Sequence, residues 1–144
     1  MIAAASTVID APVDAVWSLL DDFAGWHTWL PTMATTTMAD GLDQAPVGSV
    51  RILHREDGST FRELLVAKDG ARHTLSYSFA GEHPFPVRRY VATVRLEPVT
   101  TDNTTYVHWS GDFDCDADKE QAAAETFCRI YQSFFRALST ATAG

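Results

Sequence analysis

Long apolar runs, basic residues and cysteine are all scarce in this sequence. No apolar stretch approaches the roughly 18 residues that a membrane-spanning helix needs, and residues 1–10 have no basic start followed by a long apolar core, so we expect a cytoplasmic protein. Eleven Lys and Arg residues oppose nineteen Asp and Glu residues, which gives a formal net charge of −8. Such a charge repels phosphate backbones and anionic lipid surfaces, so neither nucleic acid nor a membrane is an expected partner.

Metal-binding patterns are also missing. The two cysteines, Cys115 and Cys128, lie in different predicted elements without a histidine cluster at zinc spacing, and we expect reduced thiols. The acidic residues near position 114 complete no coordinating pattern and are suited to the start of a helix. We therefore expect neither a metal nor another cofactor.

Aromatic residues, by contrast, are plentiful. The 144 residues suffice for one domain, taken as 1–144, and include four Trp, four Tyr and eight Phe. Aromatic side chains in this number can line a pocket as well as fill a core.

The hydrophobic periodicity predicts an α+β fold. Ile2 to Asp10 is typical of a strand, Asp10 and Pro12 predict the capped start of a helix, and Phe23 to Leu30 predicts a second short helix. Six further strands are predicted at about 33–39, 48–56, 59–68, 72–79, 87–98 and 104–114, followed by a long amphipathic helix from Asp116 to about Thr142. This order describes a seven-stranded antiparallel sheet folded round a C-terminal helix, with a cavity between them.

Several short segments also carry a family resemblance. They are Asp10-Ala-Pro-Val-Asp-Ala-Val-Trp17, Trp29-Leu-Pro31, Gly48-Ser-Val-Arg51, Asp57-Gly58, Glu63-Leu-Leu65, Pro86-Val87, Tyr90-Val-Ala-Thr-Val-Arg-Leu-Glu-Pro98 and Trp109-Ser110. Over nearly the whole chain the sequence resembles the START/Bet v 1-like (SRPBCC) superfamily, in its bacterial polyketide cyclase/dehydrase-like branch. The resemblance implies a helix-grip fold and a hydrophobic-ligand cavity with a mobile mouth.

The loop Gly81-Glu82-His83-Pro84-Phe85-Pro86 is similar to the start of the latch loop of plant abscisic-acid receptors. Two departures count against a hormone-receptor role. A tight Asp57-Gly58 turn replaces the receptors' longer gate loop, and Ala34 stands where they place a cavity lysine.

Turn lengths predict which strand residues face the cavity. A two-residue turn at Asp57-Gly58 pairs His54 with Phe61 and Ile52 with Glu63. A three-residue turn at Asp69-Gly70-Ala71 pairs Leu65 with Leu75 and Glu63 with Tyr77, on the same face as Phe79. The inner row is therefore expected to hold Glu63 beside Tyr77 among apolar side chains.

The two last strands differ in how clearly they can be oriented. On the strand over 87–98, the apolar alternation points Tyr90 and Ala92 inward. On the strand over 104–114, either Val107, Trp109 and Phe113 or His108, Ser110 and Asp112 face the cavity. Apolar residues ordinarily face the core, but the resemblance implies an inward polar side chain near Ser110, and we favour the polar set.

An inward glutamate suggests proton-transfer chemistry. Burial disfavours its charged form and raises its pKa, while a neighbouring tyrosine hydroxyl can stabilise an enolate oxygen. Glu63 is the candidate base, Tyr77 or Tyr90 the oxygen-binding group and His54 a second proton carrier. The alternative is that Glu63 and its tyrosine are a satisfied polar pair, or one that only orients a ligand.

Two main hypotheses of function follow; a third, a protein-interaction domain, would need an exposed apolar groove or charged patch, which the sequence does not plainly show. The first is a cofactor-free cyclase or dehydratase acting on a polyketide-like or aromatic carbonyl compound. The alternative is a non-catalytic protein that binds or transports a hydrophobic small molecule or lipid. In either case we expect a monomer or homodimer. The expected ligand-binding residues are Trp29, Ile52, Phe61, Phe79, His83, Phe85, Ala92, His108, Ser110, Asp112, Phe127, Tyr131 and Phe134.

Overall fold

A computed structural model describes all residues from 1 to 144 and contains the predicted elements in the predicted order. They are β1 (Ile2–Ile9), α1 (Val13–Asp21), a 3₁₀ segment (Phe23–Thr28), β2 (Met33–Met38), β3 (Val50–Arg55), β4 (Thr60–Asp69), β5 (Thr74–Phe79), β6 (Arg89–Val99), β7 (Thr104–Asp114), a 3₁₀ turn (Ala117–Lys119) and α2 (Glu120–Thr142). The α+β helix-grip fold is thus confirmed.

The seven strands form one antiparallel sheet in the order β1-β7-β6-β5-β4-β3-β2. Strands β1 and β2 are its edges, and α2 packs over the inner face. Tyr131 of α2 is fully buried, with its ring 6.0 Å from that of Trp109 on β7. No helix has both the length and the apolar character required to cross a membrane.

The start of α1 differs from the prediction in one detail. Pro12 occupies the N-cap position and no side chain caps the helix, so Asp10 does not act as the predicted cap. The Pro12 carbonyl accepts hydrogen bonds from the backbone N–H groups of Ala15 and Val16, at 3.0 and 3.3 Å. Proline has no N–H to leave unsatisfied, so its position at the start of the helix carries no hydrogen-bond cost.

The β3–β4 hairpin has a different register from the predicted one. Four residues, 56–59, separate the strands, Gly58 adopts a φ of +87°, and His54 pairs with Thr60 instead of Phe61. A register change of one residue turns every side chain of a strand to the opposite face. The predicted inward positions of Ile52 and His54 are therefore wrong, and Arg51, Leu53 and Arg55 face inward in their place.

The β4–β5 hairpin also departs from the predicted pairing but keeps the predicted face. Glu63 lies opposite Phe79, and Leu65 lies opposite Tyr77, with an irregularity between Leu65 and Ala67. The expected partner of Glu63 was Tyr77, so the error is two residues. Since side chains alternate with a period of two, both residues still point toward the cavity side.

On β7 the apolar residues face inward. Val107, Trp109 and Phe113 are fully buried, whereas Asp112 is exposed. The preferred inward positions of His108, Ser110 and Asp112 are therefore wrong, because the aromatic interior beneath α2 needs the large apolar side chains of this strand. Here the ordinary burial of apolar residues was a better guide than the resemblance.

Candidate functional site

A cavity of about 240 Å³ lies between α2 and the inner face of the sheet. Its walls are mainly aromatic and aliphatic, with buried side chains at the base and half-buried or exposed ones toward the rim. The lining residues are Thr32, Met33, Arg55, Phe61, Glu63, Tyr77, Phe79, Phe85, Tyr90, Phe127, Ile130, Ser133 and Phe134. Its volume is slightly below the roughly 300–1,000 Å³ of typical drug-sized ligand sites, which suits a small ring compound.

The Glu63 carboxylate at the base of the cavity is fixed by Arg51 from the neighbouring strand. The Arg51 Nη2 and Nε groups donate to the same oxygen, Oε1, at 2.6 and 3.1 Å. The second oxygen, Oε2, forms no hydrogen bond within the protein. Because Glu63 lines the cavity, Oε2 is a hydrogen-bond acceptor available to a bound molecule.

Arg51 itself is held rigidly below the cavity. Its Nη1 group donates to the Phe23 carbonyl oxygen at 2.9 Å, and its guanidinium carbon lies 3.7 Å from the Phe23 ring centre and 4.0 Å from that of Trp26. Cation–π contacts of this kind partly replace the lost hydration of a buried guanidinium. The 3₁₀ segment therefore positions Arg51, which positions Glu63.

Burial is the largest influence on the pKa values of Glu63 and Arg51. It raises the pKa of Glu63 above the usual glutamate range, although the Arg51 charge and hydrogen bonds oppose the shift. Burial likewise lowers the pKa of Arg51, opposed by Glu63. A carboxylate with a raised pKa in an apolar surround is suited to accept and release a proton.

Tyr77 supplies a hydrogen-bond donor to the same cavity. Its hydroxyl oxygen accepts a hydrogen bond from Trp109 Nε1 at 3.1 Å, and its own O–H has no acceptor in the protein. Burial raises the pKa of Tyr77 well above its usual value, and the Glu63 charge raises it further. Tyr77 is therefore a neutral donor at physiological pH, and with Glu63 Oε2 it presents one donor and one acceptor to a ligand.

Two further phenols, Tyr90 of β6 and Tyr131 of α2, form a hydrogen-bonded pair. The hydroxyl oxygens of Tyr90 and Tyr131 are 2.6 Å apart, and either can donate. Burial raises the pKa of Tyr90 well above its usual value and also raises that of Tyr131. Tyr90 lines the cavity, whereas Tyr131 lies behind it and supports the Tyr90 hydroxyl.

Stacked aromatic rings form one wall. Phe79 stacks on Tyr90, with ring centres 4.8 Å apart and planes inclined by 24°, and Tyr90 stacks on Phe127 at 4.5 Å and 21°. Phe85, from the loop between β5 and β6, stacks on Phe79 at 5.5 Å. Flat apolar surfaces of this kind favour a planar ring compound.

Eight predicted site residues line the cavity: Glu63, Tyr77, Tyr90, Phe61, Phe79, Phe85, Phe127 and Phe134. Tyr131 and Ala92 are buried close to it without lining it. Trp29 does not flank the main cavity as predicted; it is buried against Trp26 and Phe134 and lines a separate depression beside Arg136. His83 also lies outside the cavity, stacked on the Phe79 ring at 4.2 Å.

The remaining predicted residues lie on the outer face of the sheet. His54 contacts Thr37 Oγ1 through Nε2 at 2.9 Å, so it is not available as a proton carrier in the cavity. Ile52 shares that face, and so do His108, Ser110 and Asp112 of β7. The register of β3 and the burial of Trp109 exclude all five from the cavity.

Sequence reasoning missed several residues of the site. Arg51 and Arg55 were overlooked because the hairpin register was assigned one residue out. Ile130 belongs to the apolar stripe of α2, but Thr32, Met33 and Ser133 carried no signal beyond their element. A buried glutamate is costly without a cationic partner. The predicted inward position of Glu63 was therefore the one feature of the sequence that pointed to a buried arginine such as Arg51.

Comparison with known proteins places these features in context. Residues 1–142 match the family model described as polyketide cyclase / dehydrase and lipid transport. A solved protein from Nitrosospira multiformis is 28% identical with a TM-score of 0.82, and the alignment covers 100% of this chain and 97% of that one. A protein from Bacillus thuringiensis described as uncharacterized is 29% identical with a TM-score of 0.84, over 99% and 98% of the two chains.

The protein XoxI from Bacillus cereus is also similar, at 29% identity and a TM-score of 0.82 over 98% of this chain and 94% of that one. No curated protein matches the chain. These three structures agree with the fold, and their names state neither an activity nor a ligand.

Proposed function

The chain belongs to the polyketide cyclase/dehydrase and lipid transport family, and from this premise we propose that it binds a small, largely apolar ring compound in the cavity beside Glu63. One observation carries the proposal. Glu63 Oε2 and the Tyr77 O–H are polar groups without protein partners in a cavity whose walls are mainly apolar. Buried polar groups normally have partners, so a ligand hydroxyl or carbonyl that meets this donor and acceptor is the natural complement.

The aromatic stack supports a planar ligand. Phe79, Tyr90 and Phe127 form a stack of rings, and Phe85 adds a fourth ring from a loop. An apolar ring seated against them loses its contact with water, while the polar pair at the base fixes its orientation.

Proton transfer on the bound compound is the second candidate. The pKa of Glu63, raised by burial, favours it, and so do the neutral phenols of Tyr77 and Tyr90. In this reaction Glu63 removes a proton from the carbon next to a ligand carbonyl, and a tyrosine O–H donates a hydrogen bond to the enolate oxygen. In a dehydration, the β-hydroxyl then leaves with that proton as water, and the carboxylate is regenerated.

Native mass spectrometry of the protein purified from its own cells, followed by denaturing extraction, tests the binding proposal. We expect an apolar ring compound with a hydroxyl or carbonyl group, at a stoichiometry near one. Loss of that compound from a variant in which a larger side chain fills the cavity would support binding at this site. Recovery of straight-chain lipid alone would contradict the planar-ligand proposal.

Glu63→Gln separates binding from catalysis once the compound is known. The amide keeps the shape and one hydrogen-bonding oxygen but cannot take up a proton. If the protein is an enzyme, turnover falls by about a hundredfold or more, which exceeds the loss of affinity expected when an amide N–H₂ replaces the acceptor Oε2. Glu56→Gln, an exposed glutamate in the β3–β4 turn, is the matched control and should change neither quantity.

A further inference from the structure

Most basic side chains of this acidic protein are neutralised by carboxylates. Six of the eleven, namely Arg51, Lys68, Arg72, Arg88, Arg89 and Arg95, form ion pairs. The other five are Arg55, Arg62, Lys119, Arg129 and Arg136, and of these Arg55 alone lines the cavity.

Arg55 is turned toward the cavity. It is half-buried at the end of β3, and its guanidinium carbon lies 4.9 Å from the centre of the Phe61 ring, which also lines the cavity. Phe61 lies opposite Leu53, which is the inward residue of β3 between Arg55 and Arg51, the partner of Glu63. The side chain therefore leans back along the hairpin, and its donors form no hydrogen bond to any protein group.

The charge of the cavity follows from these pairings. Glu63 is the one acidic residue lining it, and the Arg51 guanidinium directly below offsets that charge. Arg55 forms no ion pair, and the carboxylates that its charge reaches are Glu63 and the exposed Asp57 of the β3–β4 turn. In a protein of net charge −8, the rim of this cavity therefore carries a guanidinium without an ion-pair partner, beside apolar walls that strengthen its attraction for an anion.

We propose that Arg55 binds an anionic group, best a carboxylate, of a ring compound whose other end carries the hydroxyl or carbonyl that meets Glu63 and Tyr77. This assignment rests on the proposed function and deepens it by naming the ligand class as a hydroxy- or oxo-aromatic acid. A guanidinium provides paired N–H donors that match the two oxygens of a carboxylate.

The spacing of the two polar ends suits a fused-ring acid. Glu63 lies opposite Arg51, and Arg55 lies four residues further along β3, about 13 Å at roughly 3.3 Å per residue. The lean of the Arg55 side chain over Phe61 shortens that separation. A two-ring aromatic body with substituents at opposite ends spans the remaining distance.

Calorimetric titration with 6-hydroxy-2-naphthoate, and with the neutral 6-hydroxy-2-naphthamide of the same shape, tests this assignment. The wild-type protein should bind the acid at least about tenfold more tightly than the amide. Arg55→Gln should remove that preference by weakening the acid alone, and Arg55→Lys should restore part of it because it keeps the charge.

Arg62→Gln is the matched control, since Arg62 is an unpaired, exposed arginine on the outer face of the same hairpin. It should leave the preference within about twofold, as expected for a remote surface charge. Equal losses of acid affinity in the Arg55→Gln and Arg62→Gln variants would overturn the assignment, because the effect would then be one of general charge. Circular dichroism confirms that both variants are folded.

The two proposals fail in distinguishable ways. If the amide and 2-naphthol bind the wild-type protein but the acid shows no advantage, the role of Arg55 is refuted and the cavity remains a ligand site. If none of the three compounds binds at millimolar concentration, the planar-ligand proposal fails and the assignment of Arg55 fails with it.

Discussion

The absence of a side chain at Gly111 makes room for the hydroxyl of Tyr131. A Cβ atom at residue 111 would overlap that hydroxyl and would lie 2.7 Å from Cε2 of Tyr90. The contact between β7 and α2 is therefore close at this point, beside the hydrogen bond of 2.6 Å between the two phenol oxygens. The rear wall of the cavity depends on a glycine that does not itself line the cavity.

Gly111→Ala should consequently destabilise the protein by about 1–3 kcal/mol, the usual cost of overpacking a dense core. The measurement is urea denaturation followed by tryptophan fluorescence. Gly70→Ala is the matched control, because no atom lies within 4 Å of its added Cβ, and the change should be within about 0.5 kcal/mol. Equal effects of the two substitutions would contradict the close contact with Tyr131.

The Arg51–Glu63 pair makes a second prediction. Arg51→Met leaves a buried carboxylate without its cation and should cost about 3–5 kcal/mol of unfolding free energy. Adding Glu63→Leu should recover much of that loss, because a buried ion pair replaced by apolar residues of similar size is often close to neutral. If the double variant is as unstable as the sum of the two single variants, the residues are not coupled.

The raised pKa of Glu63 predicts a pH dependence of stability with a definite sign. The folded state holds this proton more tightly than the unfolded chain does, because burial penalises the charged carboxylate. The contribution of Glu63 is thus present below the unfolded pKa of about 4.3 and is lost as pH rises through the higher folded value. Glu63→Gln lacks this contribution at every pH.

Urea denaturation of the wild-type protein and of Glu63→Gln at a series of pH values isolates the contribution of Glu63 to the free energy of unfolding. The stability of wild type minus that of the variant should fall as the pH rises from about 4 into the range above the folded pKa. A difference that increases over the same range would mean that Arg51 outweighs burial and holds the pKa below its ordinary value.

The fold was predictable because its signals are local. Alternating strands, turn dipeptides and the apolar stripe containing Phe127 and Tyr131 each identify an element without reference to the others. The order of the elements then restricts the architecture to a sheet with one covering helix.

The floor of the site was harder to predict, because it depends on register. Asp57-Gly58 indicates a turn, but the sequence does not distinguish a tight two-residue loop from the longer observed one. Because of that difference of one residue, the predicted register points His54 into the cavity in place of Arg55. It also turns Arg51 away from Glu63, so the ion pair between them was not predicted. Glu63 and Tyr77 were still placed inward because the error in their hairpin was an even number of residues.

Methyl NMR with 2-naphthol tests the central claim, that the cavity beside Glu63 is the ligand site. Met33 and Ile130 line the cavity, whereas Met38 and Ile9 are buried elsewhere in the fold. In protein labelled at Met and Ile methyl groups, we expect saturable shifts and ligand-to-methyl Overhauser effects at Met33 and Ile130, with Met38 and Ile9 unchanged. Unmoved Met33 and Ile130 signals at saturating 2-naphthol, or effects confined to the depression at Trp29 and Arg136, would contradict it.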